Sequence, residues 1–334
     1  MGVRLALRYD MRAPSIGAPA AALYPAAVEQ CAIADAAGFD TVYLAEHHGA
    51  EDGYCPAPMI LASAIAGRTT RMTLHFSALI AVLHGPLRLA EDLAVLDLIS
   101  AGRVEMTLGI GYRNHEYEMF GVTRSRRVKI LEDTIKILDQ AWTGEPFEYK
   151  GTTVTVRPRP VQQPRPPIYI GGSTEASAIR AARYGDRFMP ATPDLYPIYA
   201  DERRRLGLPV PDGPRQKGPL FLFLTHDPER AWDLVAPHVL YTTNSNAEWA
   251  KERGVGATPY PPVEDAAALK GNPQFAVVTP EDCVAIVERL GPDAELTLHP
   301  LTGGLDPELG TASLQLFTTA VLPALEARRL WMNP

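Results

Sequence analysis

The sequence predicts an α/β protein that folds as a single (β/α)8 TIM barrel across residues 1–334. Short apolar segments of strand length alternate with longer segments whose apolar residues recur at helical spacing. This alternation indicates a parallel sheet covered by helices. Eight such units can be counted, and eight units favour closure of the sheet into a barrel. The alternative is an open, doubly wound sheet.

The predicted strands are short and apolar. They cover residues 3–9, 41–45, 72–81, 104–109, 168–171, 188–189, 220–225 and 295–299. A small hairpin is predicted over 147–156, after the fourth strand. A proline-rich stretch over 158–167 then leads rigidly into the fifth strand.

The segments between the strands carry helix signals. One surface helix is indicated by a stripe of apolar side chains at helical spacing. The stripe consists of Val128, Leu131, Ile135, Leu138 and Trp142. Gly38 is suited to end the first helix, and Thr279 with Pro280 is suited to begin a late one. Other helices are predicted over 20–37, 57–68, 86–100, 175–184, 197–206 and 228–240, and a final helix ends near 328.

The segment 241–276 has no clear periodicity and contains Gly254, Gly256, Pro259, Pro261 and Pro262. Segments of this length without secondary structure are usually functional loops or disordered insertions. We therefore expect a long insertion near the C-terminal part of the barrel, with 241–276 as a mobile active-site loop. A surface loop without a function is the alternative.

Charge and composition exclude several classes of protein. The formal net charge of −7 argues against the basic surface that a nucleic acid or an anionic membrane requires. Arg4 and Arg8 interrupt the first apolar stretch, and no apolar run reaches the roughly 18 residues of a membrane span. The three cysteines lie far apart, which fits neither a disulfide framework nor a zinc site. We expect a cytoplasmic protein without a bound metal.

Residues able to carry chemistry cluster where the predicted strands end. Glu46-His47-His48 follows the second strand, and Ser77-Ala78 lies in the third. Gly109-Ile110-Gly111-Tyr112 and Gly171-Gly172-Ser173-Thr174 follow the fourth and fifth strands. Active sites of barrel enzymes are built from the loops at this end of the strands. The clustering therefore predicts an enzyme.

The adjacent histidines His47 and His48 make a poor chelating pair, because neighbours on an extended strand point to opposite faces. One of them is expected to face the active site. The alternative is that both are hydrogen-bonded scaffold residues, since histidine is intermediate in its preference for burial.

The segment Gly171-Gly172-Ser173-Thr174 joins a strand to a helix whose first turn carries Ser177. Small residues let backbone amides approach an anion, and the helix N-terminus adds partial positive charge. The segment therefore predicts a phosphate site, which Arg126 and Arg127 could reach with charge-assisted hydrogen bonds. The alternatives are a plain hydroxyl cap and a solvated pair of arginines.

Several motifs along the chain share their order and spacing with a known family. They include Gly38-Phe39-Asp40-Thr41-Val42, Glu46-His47-His48, Ala90-Glu91-Asp92, Ser100-Ala101-Gly102-Arg103, Phe120-Gly121, Pro166-Pro167-Ile168 and Thr279-Pro280-Glu281-Asp282-Cys283. Over nearly the whole chain they resemble the bacterial-luciferase-like family of flavin-dependent monooxygenases. The resemblance implies a barrel that binds flavin across the mouth formed by the carboxyl ends of its strands.

The resemblance assigns expected roles to individual residues. His47 matches the active-site histidine that handles protons, and Ser77-Ala78 matches a non-proline cis peptide against the flavin ring. Thr174, Ser177 and Arg127 match groups that bind the flavin phosphate. Further cofactor contacts are expected at Glu46, Gly109, Tyr112, Gly171 and Ser173.

Two positions depart from the pattern of the luciferase catalytic subunit. Ile110 stands where that subunit has a second phosphate arginine, and Gly109 stands where it has a reactive cysteine. Some relatives use a deazaflavin in place of FMN, so a deazaflavin is the alternative cofactor.

The resemblance implies a monooxygenase that uses reduced FMN and O2 to oxidise a small organic substrate through a flavin hydroperoxide. A separate flavin reductase is expected to supply the reduced FMN. A homodimer is expected, formed through the helices near 57–68 and 87–100. The alternatives are a deazaflavin-dependent oxidoreductase that transfers hydride, and a non-catalytic flavin-binding protein.

Overall fold

The structure, a computed structural model that describes residues 2–252 and 262–332, confirms the alternation of strands and helices. The strands are β1 (Arg4–Tyr9), β2 (Thr41–Leu44), β3 (Thr73–Leu79), β4 (Val104–Leu108), β5 (Phe147–Tyr149), β6 (Thr152–Val154), β7 (Ile168–Gly172), β8 (Arg187–Pro190), β9 (Gln216–Lys217), β10 (Phe221–Leu224), β11 (Phe275–Val278) and β12 (Ala294–Leu298). The eight predicted strands correspond to β1 to β4, β7, β8, β10 and β12. The predicted hairpin is formed by β5 and β6.

Most predicted helices are found with ends within two residues of those expected. The helices are α1 (Ala20–Ala36), α2 (Pro58–Ala66), α3 (Pro86–Ile99), α4 (Asn114–Met119), α5 (Arg127–Ala141), α6 (Glu175–Tyr184), α7 (Tyr196–Arg205), α8 (Pro228–Lys251), α9 (Pro280–Leu290), α10 (Pro307–Leu316) and α11 (Leu322–Ala327). Thr279 caps α9 as expected, because its side chain accepts the backbone N–H of Asp282.

One curled sheet of eight strands forms most of the barrel. Its order is β8-β7-β4-β3-β2-β1-β12-β9, and all of its neighbouring strands are parallel. The strand β1 pairs with both β2 and β12, so the first and last strands of the chain are neighbours. This arrangement favours the barrel over the open sheet. The strand β10 lies beside β12 and forms a separate parallel pair with β11.

Four elements correct the sequence prediction. The helix predicted to end at residue 240 continues as α8 to Lys251, and the strands β9 and β11 were not predicted. The short helix α4 was not predicted either. The polar run 241–246 has weak helix propensity, but the helix continues because it packs Thr243 and Ala247 into the interior. Residues 253–261 of the expected loop lie outside the described residues, and its mobility stays a prediction.

Successive side chains of β1 alternate between the helices and the barrel axis, as the pleat of a strand requires. The Tyr9 hydroxyl donates to Gln30 on α1 at 2.9 Å, so the odd positions face the helices. Arg8 lines a cavity inside the barrel, so the even positions face the axis. Within the described residues, none of the helices combines the length and the apolar character needed to cross a membrane.

Candidate functional site

A cavity of about 660 Å³ lies at the carboxyl ends of the barrel strands. It is lined by every residue to which the family resemblance assigned a role. These residues are Glu46, His47, Ser77, Ala78, Gly109, Tyr112, Arg127, Gly171, Ser173, Thr174 and Ser177. The fold thus brings together side chains from five separate segments of the chain. Their roles in binding and catalysis remain predictions.

His47 is held by a carboxylate and by aromatic rings. Its Nδ1 atom lies 2.7 Å from Oε1 of Glu116, and its Nε2 atom lies 3.3 Å from the Tyr112 hydroxyl. The rings of Tyr54 and Trp249 lie edgewise to the imidazole, with centroids 4.8 and 5.0 Å away. An ionised carboxylate can only accept, so Nδ1 carries the proton and the Nε2 lone pair faces the cavity. His47 is therefore placed to exchange a proton with a group in the cavity.

His48 points away from the cavity, as the alternation of neighbouring side chains predicted. Its Nε2 atom donates to Oε1 of Glu46 at 3.0 Å, and its ring packs edgewise on Phe120. Nε2 of His84 donates to the same Glu46 oxygen at 2.7 Å. The two adjacent histidines therefore occupy different environments, and His48 belongs to the scaffold.

Glu46 joins the loop after β2 to the end of β3. Burial alone would raise its pKa, but the hydrogen bonds from His48 and His84, the charge of His84 and the backbone N–H of Ile80 lower the pKa to about 2. Burial acts to lower the pKa of His84, but its hydrogen bond and charge interaction with Glu46 raise that pKa above its ordinary value. Glu46 is therefore an ionised acceptor that holds this part of the cavity wall in place.

The middle of the cavity has a wall of backbone and small side chains. The peptide between Ser77 and Ala78 is cis, as the family resemblance predicted. Nη2 of Arg8 donates to the Ser77 carbonyl oxygen at 3.3 Å. A Cβ atom added to Gly109 would lie 3.4 Å from the Cβ of Ala78, so the two residues are neighbours. Together they form a surface without large side chains. Such a surface suits a planar ring.

The helix α6 begins at one end of the cavity with a capping box. Oγ1 of Thr174 accepts the Ser177 N–H at 3.2 Å, and Oγ of Ser177 accepts the Thr174 N–H at 3.0 Å. The hydroxyl cap considered from the sequence is thus present, and the Thr174 hydroxyl still has a proton to donate. A Cβ atom on Gly172 would lie 2.1 Å from Oγ of Ser177, so the cap requires glycine at that position.

Besides Arg8, three arginines line the cavity: Arg124 on the turn before α5, Arg127 at the start of α5 and Arg180 on α6. Nη1 of Arg127 donates to the Arg124 carbonyl oxygen at 3.0 Å. Of the pair considered from the sequence, only Arg127 lines the cavity, whereas Arg126 is exposed. Arg124 and Arg180 were not predicted. Each lies three residues from a predicted residue, Arg127 or Ser177, a spacing that brings side chains to one helix face.

This end of the cavity has the groups needed to bind a phosphate. Guanidinium groups, a hydroxyl and a helix N-terminus are the donors that phosphate prefers in proteins. The buried Nε atom of Arg124 has no hydrogen-bond partner among residues 2–252 and 262–332. The donor set therefore has capacity for an anion.

The helix α8 is fastened to the barrel mouth by a buried arginine. Nη1 of Arg12 lies 2.5 Å from Oδ2 of Asp52, and Nη2 donates to Oδ1 of Asn246 at 3.0 Å. The Arg12 guanidinium also lies over the Trp249 ring, 4.2 Å from its centroid. These contacts place Trp249 beside His47. The sequence analysis missed this residue because it lies in the segment that was expected to be a loop.

The wall formed by β10, β11, β12 and α8 is mixed in character. Its large apolar members are Leu220, Phe221, Val239 and Phe275. Burial and the positive charge of Arg8 lower the pKa of His299 to about 3, so this imidazole is neutral near pH 7. The wall thus combines apolar side chains with polar groups on the same cavity as His47, which suits a small organic molecule.

The family model described as luciferase-like monooxygenase matches residues 11–290. The oxygenase component of the flavin-dependent trigonelline monooxygenase of Acinetobacter baylyi is 30% identical over 155 residues, which cover 44% of this chain and 43% of that protein. The matched part of this chain spans about half the length of the curated relatives.

Two solved structures share the fold over nearly the full length of both chains. The oxygenating constituent of 3,6-diketocamphane monooxygenase from Pseudomonas putida, in complex with FMN, has a TM-score of 0.73 at 19% identity, covering 97% of this chain and 99% of that chain. An F420-dependent secondary alcohol dehydrogenase has a TM-score of 0.68 at 17% identity, with the same coverage of 97% and 99%. At these identities the likeness shows the barrel fold alone.

Proposed function

Because the chain belongs to the luciferase-like monooxygenase family, we propose that it is the oxygenase of a flavin-dependent monooxygenase that uses reduced FMN and O2 to oxidise a small organic substrate. One observation carries the proposal. A single cavity is lined by three groups of residues. They are a cationic cradle (Arg124, Arg127, Thr174 and Ser177), a low wall of small residues (Ser77, Ala78 and Gly109) and the imidazole of His47. These three parts match the phosphate, the ring and the reacting region of a flavin site.

We assign the phosphate to the cradle at the start of α6. The Arg127 guanidinium, the Thr174 hydroxyl and the Ser177 hydroxyl line this part of the cavity. Arg124 adds a second cation from the 3-10 turn before α5, and its side chain lines the same cavity. It supplies the positive charge that Ile110 does not provide.

Reduced FMN, when bound, supplies the two electrons with which O2 is activated. The residues of this chain then orient the flavin and the substrate, exclude water and move protons. The Ser77-Ala78 peptide and Gly109 support the ring, and the apolar wall keeps bulk water away from it. His47 delivers or accepts a proton at Nε2, while Glu116 keeps the other ring nitrogen protonated.

A separate reductase is the proposed source of reduced FMN. Support comes from the name of the trigonelline relative, which identifies that protein as an oxygenase component. The apolar members of the cavity wall favour a substrate that is small and largely apolar in the part that enters the barrel.

The second candidate is hydride transfer by a deazaflavin in the same cavity. Two observations favour it: the structural likeness to an F420-dependent alcohol dehydrogenase, and the replacement of a phosphate arginine by Ile110. In that reaction O2 takes no part, and His47 would exchange a proton with the substrate oxygen.

Anaerobic titration of the purified protein with reduced FMN and with reduced F420, followed by the addition of O2 and candidate substrates, tests these assignments. We expect tight binding of reduced FMN and oxygen-dependent formation of an oxygenated product. Preference for reduced F420 with oxygen-independent substrate turnover would establish the second candidate instead. Release of hydrogen peroxide alone, whatever substrate is offered, would identify a non-catalytic flavin-binding protein.

A further inference from the structure

His299 directly follows β12 and lines the cavity. The register of the two strands pairs Leu7 of β1 with Leu298 of β12, so the next residues, Arg8 and His299, are neighbours. Both of these side chains line the cavity. Nη2 of Arg8 donates to the Ser77 carbonyl oxygen at 3.3 Å. A single side chain therefore connects His299 to the cis peptide that we assign to the flavin ring.

The ring of His299 has hydrogen-bonding groups that a ligand can use. Within residues 2–252 and 262–332, neither of its ring nitrogens forms a hydrogen bond, whereas both ring nitrogens of His47 have partners. The His299 side chain is half-buried, and neither nitrogen is fully buried. Polar groups inside proteins are nearly always paired with protein, water or ligand. An imidazole in this position is therefore available to a molecule in the cavity.

The charge beside His299 selects the kind of group that the ring can bind. Burial, together with the positive charge of Arg8, lowers the pKa of His299, so the ring is neutral and has one N–H to donate. The same positive charge repels a cationic ligand and attracts the negative end of a dipole. An oxygen that accepts hydrogen bonds, such as that of a carbonyl group, is such an end.

A neutral group fits this position better than a carboxylate. Arg8 interacts electrostatically with Asp10, which also lines the cavity. Oδ2 of Asp10 lies 3.5 Å from Nε of Arg12, and Arg12 is paired with Asp52. The formal charges of these two arginines and two aspartates cancel. A ligand carboxylate would therefore add an uncompensated negative charge beside Asp10, which is costly in a partly buried site.

We propose that His299 determines substrate specificity by donating its ring N–H to a neutral acceptor oxygen of the substrate, such as the carbonyl oxygen of a ketone or an amide. The inference rests on the proposed function and narrows its substrate class. The apolar part of the substrate packs on Phe221 and Phe275, which line the same cavity. A molecule of the same shape without the oxygen leaves the imidazole unpaired, so the contact discriminates between the two.

Matched probes test the contact in the unliganded protein. Cyclohexanone and methylenecyclohexane have nearly the same shape, but only the ketone has an acceptor oxygen. Nitrogen-15 NMR of the histidine rings should show that the His299 signals move with cyclohexanone and saturate. The signals are assigned by their loss in a His299 variant. His299 signals that do not move up to the solubility limit of the ketone would overturn the inference.

Variants separate the hydrogen bond from general effects on the cavity. His299→Phe keeps a flat ring but removes the N–H, and His299→Gln supplies a donor again. Thr243→Val is the matched control, because Thr243 lines the same cavity while its hydroxyl donates to the Val239 carbonyl oxygen. Thermal unfolding of each variant shows whether the fold is kept.

The ratio of the two affinities is the quantity to compare, because the probes differ in their hydration. His299→Phe should lower the affinity for cyclohexanone relative to methylenecyclohexane at least about fivefold, since the carbonyl oxygen loses its partner. His299→Gln should recover most of this loss, and Thr243→Val should leave the ratio near that of the parent protein. An unchanged ratio in His299→Phe would overturn the inference. If His299→Phe does not fold, His299→Leu takes its place.

A third probe, cyclohexanecarboxylate, tests the assignment to a neutral group. We expect it to move the His299 signals only at higher concentration than cyclohexanone does. The opposite order would overturn that assignment. These binding measurements need no flavin and remain decisive if the parent protein fails to oxidise reduced FMN, so failure of this inference and failure of the proposed function are distinguishable.

Discussion

Oε1 of Glu116 accepts from two consecutive residues, from the Nδ1 atom of His47 at 2.7 Å and from the backbone N–H of His48 at 3.0 Å. One buried carboxylate on α4 therefore fixes both the tautomer of the cavity imidazole and the direction of the loop that carries it. The same loop is tied to β3 through Glu46. The position of His47 is thus determined by groups on α4 and at the end of β3.

The two histidines should respond differently to truncation. His47→Ala should keep the fold and bind reduced flavin, but lose the positioned proton donor or acceptor, a loss of typically about 10²–10⁴ in rate. His48→Ala should act mainly on stability, because its ring lies outside the cavity and holds Glu46. Stopped-flow oxidation of bound reduced flavin from about pH 5.5 to about pH 8.5 measures both effects. A normal rate and pH profile in His47→Ala would make His47 a structural residue.

The phosphate cradle should contribute mostly to binding. Arg127→Ala should weaken reduced-FMN binding by about 1.5–3 kcal/mol, or roughly 10- to 150-fold in Kd, with little change in rate at saturating flavin. The double change Thr174→Val/Ser177→Ala should act in the same direction. It also removes the cap of α6, so thermal unfolding must be measured beside it. Isothermal titration gives the Kd values.

Arg126→Ala is the matched control for Arg127→Ala. The two arginines are adjacent, but Arg126 is exposed and only Arg127 lines the cavity. We expect Arg126→Ala to bind reduced FMN with nearly unchanged affinity. The opposite result, with Arg126→Ala weakened and Arg127→Ala normal, would move the phosphate away from the cradle.

The Glu46–His84 pair should make stability depend on pH. The pKa of Glu46 in the folded protein is about 2, against an ordinary 4.5. Its contribution to the free energy of unfolding is therefore present above about pH 4.5 and is lost as the pH falls toward 2. The pKa shift corresponds to an unfolding free energy on the order of 3 kcal/mol. The folded pKa of His84 lies above its ordinary 6.5, so its contribution is full below about pH 6.5 and is lost as pH rises through the folded value.

Urea unfolding of the parent protein and of Glu46→Gln therefore should differ most between about pH 4.5 and about pH 6.5. Below that window the two proteins should converge, because protonation removes the charge that the variant lacks. Stability curves that stay parallel from pH 2 to pH 7 would show that the pair contributes nothing through ionisation.

The expected homodimer should use the outer face of α2 and α3. Ile60 on α2 and Val95, Leu98 and Ile99 on α3 are exposed apolar side chains, and Ile60 is 75% exposed. Leu98→Glu with Ile99→Glu should weaken association at least roughly 100-fold, because burial of each apolar side chain contributes about 1.5–3 kcal/mol. Leu208→Glu, at an exposed apolar position after α7, is the control. Sedimentation that shows only monomer of the parent protein at micromolar concentration would remove the dimer.

The sequence by itself determined the barrel and the set of residues at its mouth. Strand and helix periods depend on neighbouring residues, so the elements could be located without tertiary information. Parallel strands bring their carboxyl ends to one edge, and this geometry explains why Glu46, Ser77, Gly109 and Gly171 could be predicted to meet. Thr174 and Ser177 could also be predicted from the sequence, because a capping box is a local sequence pattern.

Only the tertiary structure decided which groups surround those residues. The Arg12–Trp249 contact and the Glu116–His47 hydrogen bond join positions far apart in sequence. The end of α8 at Lys251 also belongs to what the tertiary structure decided. Local propensity carries no information about such pairs, and packing overrides it where α8 continues through a polar run. The contacts of His75 with Glu105 and Thr107 inside the barrel were missed for a related reason. Alternation shows which side chains share a strand face, but only the closed sheet shows that faces from eight strands meet.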